Sequence, residues 1–206
     1  LKGVNRLLVR SGFQLIQNTH NNGIKALLDV AKISTAINTY HAGFVIGPRI
    51  NAGSRIHKSD LGAKLLTTED WEEAINIAWT LNDCNDRRKE IQVEMERQAL
   101  AEIETKGLDQ GNVIIVGDEN WHPGLSGLVA GRIKDKYNKP ACVITYAKNS
   151  DGTLEGRGSG RSIPGVNIGK AFMDAMEEGI IPKGGGHAMA GGFTVEPDML
   201  EFFSKF

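Results

Sequence analysis

The sequence predicts an α/β protein: a helical N-terminal third, one long helix, then a glycine-rich stretch in which strands and helices alternate. Three observations carry this. No Pro or Gly lies between Thr68 and Gly107. Beyond Gly107, short apolar runs alternate with helical patterns, as in an α/β domain with a mixed sheet. Eighteen of the 25 glycines fall in that last stretch, so its backbone obeys different rules from the rest. Apolar residues make up 40% and charged residues 24%, a globular balance that excludes disordered, collagenous and disulfide-dense classes. The 206 residues suit one large domain or two small ones. No window approaches the eighteen apolar residues of a membrane-spanning helix, and LKGVNRLLVRSGF lacks the apolar stretch of a signal peptide. With no initiator Met and an end inside the apolar run FFSKF, the chain reads as a piece of a longer protein.

Taken in order, residues 1–35 read as short helices separated by a turn at Asn21-Asn22-Gly23, with apolar positions 24, 27, 28 and 31 at helical spacing. In GFVIGPRIN, Gly and Pro stand so close that a loop is expected. Thr67 and Thr68 followed by Glu69 and Asp70 signal a helix start, and Gly107 can end that helix. Its middle, NDCNDRRKE, is polar on nearly every face, which suits a connector. VIIVG (113–117), ACVITYA (141–147), residues 153–161 and GGFTVE (191–196) read as strands. Gly124 to Tyr137 and Asn167 to Glu178 read as helices, with Pro123 suited to a first turn. Gly124, Gly127 and Gly131 share one helix face and permit close backbone packing.

Net charge is −1, but it is unevenly spread. Residues 1–66 carry nine Lys/Arg against two Asp/Glu, and residues 67–106 carry five against eleven. A basic N-terminal third suggests a polyanion nearby, or a solvated face. Cys84 and Cys142 sit in no CxxC or zinc spacing and read as free thiols, so the cytoplasm is the expected compartment.

Four clusters could carry chemistry. Gly47 to Arg55 sets two arginines about Asn51 in a glycine-containing stretch, suited to phosphate through guanidinium forks and bare backbone, or to a solvated loop. Asp118 to Gly124 follows a strand and opens a helix, where His122 can donate to a phosphate or cap the helix. Asp118 and His122 lack the third ligand a metal site needs. Glu155 to Ser162 alternates Gly with Arg and Ser at an expected strand end, suited to an oxyanion or to a hairpin tip. Gly184-Gly185-Gly186-His187 is costly in backbone entropy unless something must approach closely. There is no GxGxxG, Walker loop, HExxH or GxSxG. Aromatics, at 6%, are too few for a long base-stacking platform.

In this order and spacing, KGVNRLLVRSGF, GFVIGPRINAGSR, NDRRKEIQ, WHPGLSGLVAGR, GRGSGRS and GGGHAMAGG resemble the RecJ family of single-stranded-DNA-specific exonucleases, within the DHH phosphoesterase superfamily. One departure is Gly53-Ser54, where the family often has Ala then Gly before the last Arg. The resemblance implies the end of a DHH catalytic domain (1–67), a long connecting helix (68–106) and an α/β DHH-associated domain with a mixed sheet (107–206). It implies 5′-to-3′ phosphodiester hydrolysis in DNA repair and recombination. It also implies two Mn2+ or Mg2+ ions on Asp and His ligands upstream of this chain, with none bound here. Single-stranded DNA is the implied partner, with a single-strand-binding protein or other repair proteins beside it, and no membrane. Arg55 is implied at the reacting phosphate. Arg49, Asn51, His122, Arg157, Ser159, Arg161, Ser162, Gly185, Gly186 and His187 are implied as phosphate or DNA contacts. The same superfamily leaves room for a phosphodiesterase of short oligonucleotides or cyclic dinucleotides, and a non-enzymatic nucleic-acid-binding module is the other alternative.

Overall fold

Helix α5 (Trp71–Lys106) runs uninterrupted for 36 residues, about 54 Å at 1.5 Å per residue. No turn breaks its polar middle. Thr67 belongs to the preceding helix, so the expected start moves forward: Asp70 is the cap, its Oδ1 accepting from Glu72 N at 2.7 Å and Glu73 N at 3.2 Å. At the other end, Gly107 takes the left-handed conformation (φ 64°) that stops a helix without a Cβ penalty. This computed structural model describes residues 2–149 and 152–206. The chain divides into two units, Leu1–Lys89 and Glu90–Phe206, and the division falls inside α5.

In the first unit, α1 (Gly3–Gln17) and α2 (Asn22–Val30) are the helices expected over residues 1–35. The turn ends two residues sooner than expected: Asn21 caps α2 through Oδ1, which accepts from Ile24 N at 2.9 Å. Gly23 is already helical, pressed against the Leu65 backbone where a Cβ has no room. The expected loop at 42–51 is helical too. A π-helical turn, His41–Ile46, runs into α3 (Gly47–Ile56). Pro48 stands in the first turn of α3, directly after the π-helical turn, whose wider i→i−5 bonding (Gly47 N to Ala42 O) lets the chain continue helical past it. A short helix, α4 (Leu61–Thr67), was not legible. These helices and the start of α5 share a core of Ala26, Leu27, Val30, Leu65, Ala74, Ile77, Ala78 and Leu81.

The second unit holds β1 (Ile114–Asp118), α6 (Ser126–Tyr137), β2 (Ala141–Lys148), β3 (Leu154–Arg161), α7 (Ile168–Glu177), β4 (Lys183–His187), β5 (Ala190–Val195) and α8 (Leu200–Lys205). The sheet order is β1-β2-β3-β5-β4, with β1 parallel to β2 and the other pairs antiparallel, so the sheet is mixed as expected. The strand expected at 153–161 is β3, and the cluster placed at its end, 155–161, lies inside it, paired to β2 on one side and β5 on the other. The Gly184–Gly186 run, to which the sequence assigns no element, lies in β4.

One face of this sheet is dry. Gly158 lies beneath the Phe193 ring, and a Cβ on Gly160 would stand 2.6 Å from Phe172 Cζ and 2.7 Å from Ile168 Cδ1. Phe172, Phe193 and Phe203 pack as a tilted trio with centroids 4.7–6.0 Å apart. Cys142, Ile144, Ile181 and Val195 complete that core. The glycines are what let α7 and the phenyl rings lie directly on the strands. On the opposite face α6 packs against β2 and β3 through Val129, Ala130 and Ile133, preceded by a 3-10 turn at Pro123–Leu125.

Candidate functional site

Strand alternation decides which residues of the second unit share a face. Gly156, Gly158 and Gly160 point into the dry core, so Arg157, Ser159 and Arg161 project from the other side of β3. Register carries the pattern across the sheet. Arg161 pairs with Ala190, which pairs with His187, giving one row over three strands. Ser159 pairs with Gly192, which pairs with Gly185, giving the next row on that face. Arg157 pairs with Thr194, which pairs with Lys183, giving a third. The result is a polar face with a glycine floor. A Cβ on Gly185 would meet nothing within 4 Å, and one on Gly192 only Gly158 O at 3.6 Å. An oxyanion can therefore reach the backbone there, with cationic side chains around it.

Arg161 is the best held of these. Its Nη1 donates to Gly160 O at 2.8 Å, and its guanidinium lies against Gly127 in the first turn of α6, where any Cβ would collide with it. Gly124 lies in the 3-10 turn before α6; of the two glycines in α6, Gly127 makes the close approach and Gly131 faces open space. Arg157 is exposed and shares its charge with Glu155 (Nε to Oε2, 2.9 Å). Ser162 turns inward: it is buried, and its hydroxyl donates to Val166 O at 2.7 Å, closing the loop that follows β3. Gly186, at φ 150°, lies with its Cβ position against Gly191 and the Ala190 carbonyl, which keeps the β4–β5 hairpin tight. His187 is exposed at the end of β4.

His122 acts as a cap. Its Nδ1 accepts from Gly124 N at 3.2 Å, so the proton of the neutral ring sits on Nε2, able to donate outward. The loop before it is tied down by Trp121, whose buried indole donates to Gln98 Oε1 at 2.7 Å, and by Asp118, which accepts from Asn120 N at 2.7 Å. Among the described residues, no three His, Cys, Asp or Glu side chains gather as a metal site.

In the first unit, α3 carries Arg49, Asn51 and Arg55. Arg49 is engaged twice, its Nε donating to Asn82 Oδ1 at 3.0 Å and its Nη1 to Val45 O at 2.9 Å. Asn51 is exposed and its carbonyl accepts from Ser54 Oγ at 3.0 Å. Arg55 is half-buried in the last turn of α3. Lys183 and Thr194 were not singled out from sequence. The period-2 alternation of GGFTVE, with Phe193 and Val195 inward, was the signal for Thr194; Lys183 needed the pairing of β4 and β5.

Comparisons with known proteins agree with this architecture. Residues 110–206 match the DHHA1 domain. The chain is 36% identical over 209 residues to the single-stranded-DNA-specific exonuclease RecJ of Escherichia coli, covering 98% of this chain and 35% of that protein. It is 33% identical to RecJ of Bacillus subtilis, covering 94% of this chain and 24% of that one. The crystal structure of Thermus thermophilus RecJ in complex with Mn2+ superposes with a TM-score of 0.84 at 28% identity, covering 98% of this chain and 29% of that chain; a Mg2+ complex gives 0.81. The chain thus spans about a third of the length of the relatives it matches. Among the described residues, no helix is long and apolar enough to cross a membrane.

Proposed function

The chain belongs to the RecJ family and carries a DHHA1 domain, and from that premise we propose that it is the strand-gripping part of a single-stranded-DNA-specific exonuclease. The whole protein would hydrolyse phosphodiester bonds from a 5′ end, in the cytoplasm, during DNA repair and recombination, beside a single-strand-binding protein or other repair proteins. In this reading residues 1–67 close a DHH catalytic domain, 68–106 link it, and 107–206 bind substrate. The observation that carries it is the polar face of the second unit, where Ser159, Arg161 and His187 surround a glycine floor at Gly185 and Gly192.

Such a face suits a phosphate backbone. Backbone and guanidinium donors address phosphate oxygens, which are the same at every nucleotide, so the grip is independent of sequence. A glycine floor admits a flexible single strand, whose phosphates can approach the backbone one by one. Arg55, on α3, would sit at the reacting phosphate and stabilise its developing charge. The family's Mn2+ or Mg2+ would activate water for in-line attack. Among the described residues no three ligating side chains cluster, and in this reading the ligands of such a pair lie upstream of this chain, which contributes substrate binding and Arg55.

Incubating the whole protein with Mn2+ and labelled single-stranded DNA should release mononucleotides, and blunt duplex should resist. Arg55→Ala should lower the single-turnover rate by about a hundredfold while affinity falls less than tenfold, because a donor aimed at developing charge acts on turnover. A whole protein inert toward single strands, or active only on di- and trinucleotides, overturns the reading.

A further inference from the structure

The three rows of the polar face are evenly stepped. Residues on one face of a strand are two apart, which is about 6.8 Å at about 3.4 Å per residue. Successive phosphates of an extended single strand recur at a similar interval. A sugar–phosphate backbone laid along β3, β5 and β4 therefore meets one row per phosphate. The first two rows, Arg161–Ala190–His187 and Ser159–Gly192–Gly185, belong to the glycine-rich motifs. The third, Arg157–Thr194–Lys183, takes Thr194 and Lys183 from outside them.

That third row suits an anion. Neighbouring strands lie about 4.8 Å apart, so Arg157 and Lys183 flank Thr194 at about 10 Å from one another. Both point away from the dry core, since Gly158 meets Phe193 there and Gly184 meets Phe172 O and Ile181. Lys183 is exposed and Thr194 half-buried. Arg157 shares its charge with Glu155, so Lys183 gives the row its net positive charge. Beyond this row the surface turns acidic: Glu155, Glu196 and Asp198 line one cavity of about 480 Å³. A fourth phosphate would meet carboxylates there, so the track ends at the third row.

We propose that Arg157, Thr194 and Lys183 form a phosphate subsite two linkages from the phosphate held at Arg161, and that the single strand runs along the β-strands rather than across them. The inference rests on the exonuclease reading and deepens it by giving the strand a path over the sheet. β4 is the edge of the sheet, and a lysine on an edge strand also discourages pairing with another chain. That role alone requires no register with Arg161, and the register is what the test reads.

The test uses the whole protein in EDTA, so that the strand stays intact, and thymidine oligonucleotides in which one linkage at a time is an uncharged methylphosphonate. In the wild type, three successive linkages should each cost affinity when uncharged. Arg161→Ala should make one end of that triplet indifferent, and Lys183→Ala the other end, two linkages away. On the unmodified strand, Lys183→Ala should weaken binding about fivefold and flatten the salt slope by about 0.7, one phosphate's share. Thr194→Val should weaken it about twofold at the same linkage as Lys183→Ala, and Lys183→Arg should keep the wild-type profile. Lys183 is exposed, so its variants should melt within about two degrees of wild type; if Lys183→Ala melts early, Thr194→Val carries the linkage test. A wild-type profile in Lys183→Ala, or loss of the same linkage in Lys183→Ala and Arg161→Ala, overturns the subsite and the path. A wild-type protein that binds no single strand, and degrades none when Mn2+ is restored, overturns the exonuclease reading instead.

Discussion

The two faces of the β3–β5–β4 sheet are made from the same strands and use glycine for opposite purposes. On the dry face, Gly158 and Gly160 make room for Phe193, Phe172 and Ile168, so the missing Cβ is filled by protein. On the polar face, Gly185 leaves room that no neighbouring atom fills and Gly192 meets only Gly158 O at 3.6 Å, with arginine, serine and histidine in the same rows of the sheet. A glycine in a strand costs backbone entropy either way. On one side that cost is offset by aromatic packing, and on the other it leaves backbone open to a ligand. Stability and binding are thereby separated by a single residue step along each strand.

That separation can be broken by substitution. The largest effect is expected at Gly158→Ala, whose Cβ would lie within the Phe193 ring's own volume; overpacking of this kind costs about 1–3 kcal/mol, read as a lowered melting temperature. An unchanged melting curve would show that the dry face yields easily and is no constraint. Arg161→Ala, in the whole protein, should leave melting nearly intact and weaken single-strand binding about tenfold, with the salt slope flatter by about 0.7. Equal loss on all sequences is expected, and Arg161→Lys should recover only part. Unchanged affinity and slope would reduce the polar face to a solvated surface.

Gly185→Ala sharpens the contrast with Gly158→Ala. Its Cβ meets nothing, so stability should stay within about 0.5 kcal/mol, while binding falls a few-fold because the floor is raised. Parallel loss of stability and binding would merge the two faces again. The smallest effect concerns Cys142 on the dry face, whose thiol is pushed by burial up to about 12 from an ordinary 9.0. The fold favours the neutral thiol, so nothing is lost below pH 9. Stability should fall as pH rises from about 9 toward 12, where only the unfolded chain ionises. In native protein at pH 8, alkylation should reach Cys84 before Cys142, which is buried; the reverse order would mean that the dry face opens.

Local rules were enough for much of this chain. The α5 run free of Pro and Gly is one helix, Gly107 ends it, and the apolar runs VIIVG and ACVITYA are strands because their period and length admit little else. Asn167 caps α7 through Oδ1, which accepts from Lys170 N at 3.0 Å, close to where the sequence begins that helix. Local rules failed where Gly and Pro were read as breakers. Pro48 stands at the start of a helix, and the glycines of 184–186, assigned no element from sequence, are strand residues because pairing partners farther along the chain supply the bonds their own propensity does not. The sequence by itself determined the residue types at the candidate site and the alternation that sorts Arg157, Ser159 and Arg161 from the intervening glycines. Only the tertiary structure decided that β5 lies between β3 and β4, which sets His187 in the row of Arg161, and that Asn82 of α5 accepts from Arg49 of α3. Both are consequences of register and helix contact between distant segments, which no local spacing encodes.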